Sequence, residues 1–220
     1  RVRDGHGDLR LEHLYFDPQD ELRILDCIEF SDRLRHVDVV CDIAFLAMDL
    51  GVKGRVDLAE RFLALYAESA RDHDLYGLVD FYESYRAFVR GKIACFALED
   101  PELDIEAREA KEAEARRYFR LALASERRSL LPPTLVGVGG IIGTGKSTMA
   151  DAISRATGAP VIGSDRVRKA LMGVGPRERL GDDAYTDAMT DAVYAELFRR
   201  ARVVLESVRS AIVDASFASR

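Results

Sequence analysis

The feature that most constrains this chain is a glycine-rich segment at residues 140–147, GIIGTGKS. It matches the pattern G-x-x-x-x-G-K-[ST], in which glycines permit positive φ and let backbone N–H groups converge on one point. The apolar run TLVGVGG precedes this segment, and a stretch of helical periodicity that ends at Gly158 follows it. Further strand and helix patterns follow, in APVIGSD, in residues 183–208 and in SAIVDASF. This alternation predicts an α/β domain built on a parallel sheet.

Each residue type in the 140–147 segment has a physical role in holding a polyphosphate. The N-terminus of the following helix presents unpaired N–H groups and a positive dipole end to the anion. Lys146 supplies a mobile positive charge for the β- and γ-phosphates, and the Ser147 hydroxyl is suited to Mg²⁺. The segment therefore predicts a P-loop that binds ATP and Mg²⁺. The predicted nucleotide-binding residues are Gly140, Gly143, Thr144, Gly145, Lys146, Ser147 and Thr148.

Acidic residues follow the second and third predicted strands, at the edge where such sheets bind ligands. The stretch that contains Ser164, Asp165 and Arg168 resembles the small-molecule and polynucleotide 5′-kinase branch of the P-loop kinases. The resemblance implies that Asp165 is the general base and that Arg168 holds an anionic acceptor. Asp214 follows the apolar run Ala211-Ile212-Val213, and this pattern predicts a Walker B-like carboxylate that holds a magnesium-bound water. The alternatives are that Asp165 only caps the next helix and that Asp214 is an ordinary residue at a strand end.

Residues 38–129 are predicted to be mostly helical. The run DVVCDIAFLAMDLG predicts a buried helix that stops at Gly51, and DLAERFLALYAESARDH predicts an amphipathic one. In the second helix we expect the buried stripe to contain Leu58, Phe62, Leu65 and Tyr66. Residues 104–129 are rich in Ala, Glu and Arg, and predict a solvated helix that bridges two domains.

The first residues carry a second motif, His6-Gly7-Asp8, and a short strand that ends in Asp26. With Asp38 and Asp42, these residues resemble the catalytic region of aminoglycoside phosphotransferases, which share the protein-kinase fold. The resemblance implies that Asp8 orients or deprotonates an acceptor hydroxyl and that Asp26 binds Mg²⁺. The alternatives are that Asp8 is a turn residue and that Asp26 caps the end of the strand. His13 stands where the family usually has Asn, and imidazole is a poor ligand for Mg²⁺.

The order of the two motifs resembles a bacterial arrangement in which an aminoglycoside-phosphotransferase-like domain precedes a gluconate-kinase-like P-loop domain. Tyr85-Arg86-Ala87-Phe88-Val89-Arg90 also carries this resemblance. We therefore expect the helical C-terminal lobe of a kinase-like domain at 1–103, a helical linker at 104–133 and an incomplete P-loop domain at 134–220. Because the chain begins with Arg1 and ends soon after an apolar run, we expect it to be part of a longer protein.

Composition narrows the function classes. The formal charge of −6 removes the electrostatic footprint of a general nucleic-acid binder, and no apolar stretch is long enough to cross a bilayer. Three widely separated cysteines fit a reduced, cytoplasmic setting. The expected function is a phosphotransferase that moves the γ-phosphoryl group of ATP to a hydroxyl of a small-molecule or phosphorylated acceptor. The alternatives are a nucleotide-gated regulatory protein with a silent kinase-like lobe and an aminoglycoside-type antibiotic kinase.

Overall fold

The strand and helix patterns after residue 134 fold into a parallel sheet in the computed structural model, which describes residues 1–123 and 132–217. The described residues divide into two units. The first unit comprises residues 1–59 and 78–123, and the second comprises residues 60–77 and 132–217. Part of the predicted linker, residues 124–131, and residues 218–220 of the predicted P-loop domain lie outside the described residues.

The first unit consists of two short antiparallel ribbons and a group of helices. Strand β1 pairs with β4, and β2 pairs with β3. The strands are β1 (Val2–Asp4), β2 (Leu14–Phe16), β3 (Leu22–Ile24) and β4 (His36–Asp38). The helices are α1 (Asp32–Arg35), α2 (Val39–Val52), α4 (Val79–Ala97) and α5 (Ile105–Leu123). Helix α3 (Val56–Ala70) begins in this unit, and its residues from Glu60 onward belong to the second unit. The core joins α2, α4 and α5 through Phe45, Met48, Val52, Ala87 and Tyr118.

Helix α2 is buried along nearly its whole length, as the apolar run predicts. It continues one residue beyond Gly51, so the expected stop at that glycine is wrong. The left-handed conformation occurs instead at Gly54, where φ is 79°. There the Gly54 N–H donates to Gly51 O and the Arg55 N–H donates to Leu50 O, which satisfies two terminal carbonyls of the helix.

Helix α5 packs along α4 inside the first unit, although its polar sequence predicts a solvated helix between domains. Only a narrow face is buried, and Ala115 and Tyr118 lie on it. The close approach depends on Gly91 of α4, because a Cβ there would lie 2.9 Å from the Phe119 ring. Phe119 also meets Phe88 edge-on, with ring centroids 5.8 Å apart. A single small residue on the neighbouring helix thus gives a mostly polar helix a packing site.

The second unit is a three-stranded parallel sheet in the described residues, in the order β5-β7-β6, with helices around it. Its strands are β5 (Leu135–Val138), β6 (Val161–Gly163) and β7 (Ala211–Asp214). Its helices are α6 (Lys146–Thr157), α7 (Ser164–Leu171) and α8 (Asp187–Glu206). A core cluster of Ala150, Ala159, Val161 and Ile212 joins α6 to the sheet. The parallel sheet and the alternating helices confirm the α/β prediction for this part of the chain, and they fit a P-loop NTPase domain.

Residues 60–77 belong to this second unit, whereas the sequence predicts a domain of residues 1–103 that includes them. The buried positions of α3 recur every three to four residues and are Ala59, Glu60, Leu63, Ala64 and Ala67. Leu58 and Leu65 are 41% and 44% exposed, so the predicted buried stripe is wrong. The sequence pattern favoured the larger side chains, but the buried face presents mainly small residues, which allow close packing.

A buried ion pair ties this segment to the end of the sheet. Arg209, just before β7, donates from Nε to Glu60 Oε2 at 2.9 Å, and their side chains are only 5% and 10% exposed. Arg61 adds a hydrogen bond of 2.8 Å to Ser154 on α6. Removal of one partner of a buried pair is costly because the other charge stays buried without its counter-charge.

We therefore expect Glu60→Ala to destabilise the second unit by about 3 kcal/mol. The measurement is urea unfolding followed by circular dichroism. Arg55→Ala is the matched control, since Arg55 forms an exposed pair with Asp57 on the same helix region. This control should shift the unfolding midpoint far less, because exposed pairs contribute little. Equal shifts for the two variants would contradict the structural role of Glu60.

His73 is a buried base in the same segment. It is 5% exposed, and neither ring nitrogen has a hydrogen-bond partner among the described residues. Burial, followed by the nearby positive charge of Arg200, lowers the pKa of His73 from 6.5 to about 4. The neutral ring is therefore the form that the folded state accommodates.

This burial predicts a pH-dependent stability. In the unfolded chain His73 is protonated below about pH 6.5, whereas in the folded protein it is protonated only below about pH 4. As the pH is raised from about 4 to 6.5, the free energy of unfolding should therefore increase by about 3 kcal/mol, and it should level off at higher pH. His73→Leu should flatten this dependence in urea titrations across the window, and His36→Gln, at an exposed position, should leave it intact. An unchanged profile for His73→Leu would contradict the assignment.

No helix among the described residues is long and apolar enough to cross a membrane.

Candidate functional site

The loop between β5 and α6 adopts the conformation that its glycines predict. Gly140, Gly143 and Gly145 have φ angles of 149°, 83° and 83°. At Gly140 a Cβ would also lie 3.1 Å from Thr144 Oγ1, so both the backbone angle and the space favour glycine. Helix α6 begins directly after Gly145. The first N–H groups of a helix have no partner within it, so they are available to an anion at this end.

Two side chains close the loop on itself. Thr144 Oγ1 and Lys146 Nζ each donate to the carbonyl oxygen of Ile141, both at 2.8 Å. The Lys146 ammonium group therefore lies against the loop, beside the N-terminus of α6. The positive charge, the helix dipole and the unpaired amides all favour a negatively charged ligand at one place.

The hydroxyl of Ser147 is hydrogen-bonded to the carboxylate of Asp214, with 2.6 Å between Oγ and Oδ2. Ser147 lies in the first turn of α6, and Asp214 ends the central strand β7. The strand register accounts for this contact, because Asp214 is paired with Val138 at the end of β5 and with Gly163 at the end of β6. Asp214 is 9% exposed, so its charge is held in a largely buried position.

These two oxygen-bearing groups suit Mg²⁺, which prefers hydroxyl, carboxylate and phosphate oxygens. A hydroxyl and a carboxylate already in hydrogen-bond contact can hold one cation, directly or through water. Among residues 1–123 and 132–217, no group of three or more His, Cys, Asp or Glu side chains is arranged to hold a metal ion. A cation at Ser147 and Asp214 would therefore need ligands from a bound phosphate or from water.

Asp165 lies at the same edge of the sheet. It is the second residue of α7, directly after β6 ends at Gly163, which pairs with Asp214. Its side chain is 62% exposed and forms an ion pair of 3.0 Å with Lys169, one turn further along α7. The carboxylate is thus held by Lys169 but remains exposed to solvent, so it could accept a proton from a bound molecule.

Arg168 has a different environment from the one expected of an acceptor-binding residue. It is 8% exposed, and its Nη1 donates to the carbonyl oxygen of Ala184 at 2.5 Å. Its guanidinium group also lies over the Tyr185 ring, 4.9 Å from the centroid. Arg168 therefore holds the 3-10 turn Asp182–Tyr185 that precedes α8. The sequence analysis missed Tyr185, since nothing in its local pattern links it to Arg168.

The predicted kinase-like residues lie together in the first unit. Asp42 of α2 accepts hydrogen bonds from the His6 and Gly7 amides, at 2.7 Å and 3.0 Å, and so fixes the loop that carries Asp8. The Asp8 carboxylate receives two bonds from Arg10, from Nε at 3.0 Å and from Nη2 at 2.9 Å. Burial alone would lower the pKa of Arg10, but the hydrogen bond and charge of Asp8 outweigh it and raise that pKa. Sequence reasoning missed Arg10, although its two-residue spacing from Asp8 was a signal for such a pair.

Asp26 lies close to His13 in this unit. The distance from His13 Nε2 to Asp26 Oδ2 is 3.3 Å, and His13 Nδ1 is 2.8 Å from the Asp8 carbonyl oxygen. The Asp26 side chain is 80% exposed, and its backbone φ is 62°. A ring nitrogen beside the carboxylate is a poor partner for Mg²⁺. Magnesium binding by Asp26 stays a prediction.

Comparison with known proteins supports the assignment of the second unit. Residues 135–220 match the family model of an AAA domain. The fold and the loop geometry agree with this match, which indicates a P-loop nucleotide-binding module of the kinase and ATPase type. The family match does not extend to the residues predicted to form an aminoglycoside-phosphotransferase-like domain.

The whole chain has curated relatives in mycobacteria. It is 39% identical over 220 residues to the uncharacterized proteins Mb2027c of Mycobacterium bovis and Rv2004c of Mycobacterium tuberculosis. Each alignment covers 98% of this chain and 42% of the relative. The chain thus spans less than half the length of these curated relatives. No solved structure matches it.

The contact between Ser147 and Asp214 predicts a specific loss. Ser147→Ala should lower the affinity for ATP in the presence of Mg²⁺ by about tenfold or more and leave metal-free binding nearly unchanged, because only a cation ligand is removed. A fluorescent ATP analogue titrated with and without Mg²⁺ measures both affinities. Ser154→Ala, on the same helix but bonded to Arg61, is the control. Equal losses with and without Mg²⁺ would contradict the proposed metal contact.

Proposed function

We propose that the second unit is an ATP-dependent kinase that transfers the γ-phosphoryl group to a hydroxyl of a small-molecule or phosphorylated acceptor. The observation that carries this proposal is the hydrogen bond of 2.6 Å between Ser147 and Asp214, at the mouth of the glycine-rich loop. This bond joins a hydroxyl to a buried carboxylate, and the Lys146 ammonium group and the N-terminus of α6 belong to the same loop region. That combination suits a magnesium-bound triphosphate.

Phosphoryl transfer depends mainly on positioning and on the neutralisation of charge. The loop amides and Lys146 bind the phosphate oxygens and withdraw negative charge from them. Mg²⁺ bound to the nucleotide supplies further neutralisation, and Ser147 and Asp214 are the residues that would hold it. These groups fix the triphosphate at the edge of the sheet where Asp165 is exposed.

Asp165 is the proposed general base. It accepts the proton of the acceptor hydroxyl while the hydroxyl oxygen forms a bond to the γ-phosphorus and the bond between that phosphorus and the leaving ADP oxygen breaks. The ion pair with Lys169 at 3.0 Å holds the carboxylate in place without burying it. Arg168 supports this site by fixing the turn at Asp182–Tyr185, and contact between Arg168 and the acceptor stays a prediction.

A nucleotide-gated binding protein is the second candidate function, and the first unit supplies the observation that favours it. The carboxylate of Asp8 is bonded twice by Arg10, so it is already engaged in the arrangement where the kinase-like motif would need it as a base. In that case the chain binds ATP, forms no phosphorylated product and hydrolyses ATP only slowly.

Asp165→Asn separates these candidates. For a kinase, the variant should bind ATP with wild-type affinity and lose about 100-fold or more of its transfer rate, because only the base is removed. The measurement is ATP consumption and phosphorylated product formation by the full chain across a panel of hydroxyl acceptors. Lys146→Ala should abolish both binding and turnover.

Asp32→Asn is the matched control, since Asp32 is an 83% exposed carboxylate on α1 that pairs with Arg35. It should leave turnover unchanged. If Asp165→Asn retains full transfer, the base assignment is wrong. If the wild-type chain binds ATP but phosphorylates no acceptor in the panel, the result favours the nucleotide-gated candidate.

A further inference from the structure

A large cleft in the first unit is not used by the proposed phosphoryl transfer. Its volume is about 840 Å³, within the range of small-molecule sites. One wall is a stripe of α4 residues spaced three and four apart, and the other is the segment from Asp26 to Phe30. The lining residues used below are Asp26, Glu29, Phe30, Arg86, Arg90 and Ile93.

The wall formed by α4 is basic, and its two arginines differ in how their charge is compensated. Arg86 lies 3.6 Å from Asp42, donates to the Cys41 carbonyl oxygen at 3.4 Å and stacks over the Phe45 ring. The charge of Arg86 is thus balanced within the fold. Arg90 is closest to Glu114, at 3.9 Å, which is too long for a hydrogen bond. Its guanidinium group also lies over the Tyr118 ring, 5.8 Å from the centroid. Among the described residues its buried Nε has no hydrogen-bond partner, so part of the hydrogen-bonding capacity of Arg90 is unused.

The opposite wall carries exposed carboxylates. Glu29 is exposed, and among the described residues it forms no ion pair. Asp26 faces the same cleft with its side chain 80% exposed. Asp8 also lines the cleft, but Arg10 already compensates its charge. The cleft therefore has a basic side at Arg90, whose ion pair with Glu114 is long, and an acidic side at Glu29 and Asp26, of which Asp26 also lies 3.3 Å from His13.

An apolar surface lies between these two sides. The Phe30 ring is 84% exposed at the rim of the cleft, and Ile93, on the α4 wall, is 47% exposed. Burial of an exposed aromatic ring against an apolar ligand is favourable and does not depend on charge. A ligand that fits this surface therefore has an apolar body and carries its charged groups at separate places.

We propose that this cleft binds a small zwitterion with an apolar body. Its anionic group pairs with Arg90, its ammonium group pairs with Asp26 and Glu29, and its apolar part contacts Phe30 and Ile93. A ligand with both charges makes a charge-assisted contact with each wall, whereas an anion or a cation alone makes such a contact with one wall only. This inference is independent of the kinase proposal, because it uses no residue of the second unit.

Three probes of similar shape test the proposal. L-Phenylalanine carries both charges, 3-phenylpropanoate carries only the anion, and phenethylamine carries only the cation. Isothermal titration or ligand-observed NMR with the full chain measures their affinities. We expect L-phenylalanine to bind about tenfold more tightly than either of the other probes, since each of these lacks one charge-assisted contact. Titration of the Lys146→Ala variant should give the same order, which excludes binding at the loop of residues 140–147.

Two variants assign the contacts. Arg90→Gln should weaken L-phenylalanine and 3-phenylpropanoate about tenfold and leave phenethylamine unchanged. Glu29→Gln should weaken L-phenylalanine and phenethylamine and leave 3-phenylpropanoate unchanged. Arg116→Gln, at a 73% exposed position on α5, is the control and should change none of the affinities.

The proposal is overturned if L-phenylalanine shows no saturable binding at millimolar concentrations, or if the three probes bind equally. It is also overturned if Glu29→Gln lowers all three affinities alike. Glu29 is exposed, so its replacement tests the cleft even if Arg90→Gln destabilises the first unit, which thermal unfolding would reveal. Loss of ATP turnover in a separate assay has no bearing on these outcomes.

Discussion

The hydrogen bond between Ser147 and Asp214 is the contact on which the nucleotide site depends. Ser147 belongs to the first turn of α6 and Asp214 to the end of β7, so the contact exists only when the central strand lies in register beside β5. The parallel pairing of β5, β7 and β6 is therefore the structural condition for the site. Because all three strands end at the same edge, the glycine-rich loop, Asp214 and Asp165 lie along that edge.

The local sequence predicted much of this unit. The apolar runs before Gly140, Gly163 and Asp214 and the glycine at position 158 were enough to place its strands and the end of α6. Local patterns could not predict that residues 60–77 join the same unit, because the tie is a buried pair between Glu60 and Arg209. Such a pair depends on tertiary packing, and each partner alone resembles an ordinary surface charge.

Side-chain roles were harder to predict than strands. Asp165 and Arg168 were predicted to act together on the acceptor. In the structure Arg168 is buried and donates to the Ala184 carbonyl oxygen, whereas the Asp165 side chain is exposed. A spacing of three residues on a helix shows which residues share a face but not whether a third segment covers one of them. In the first unit, the pairing of Asp8 with Arg10 also depends on how the loop folds. Charge compensation of this kind separates residues that stabilise the fold from residues that remain available to a ligand.

Hydrogen–deuterium exchange at the glycine-rich loop tests the central claim most directly. If the N–H groups of residues 140–147 converge on a triphosphate, addition of ATP with Mg²⁺ to the full chain should slow their exchange markedly. Exchange at the amides of α5 should be unchanged. Protection at the loop that is absent in Lys146→Ala would support the account. Unchanged exchange at residues 140–147 under conditions that saturate ATP binding would contradict it.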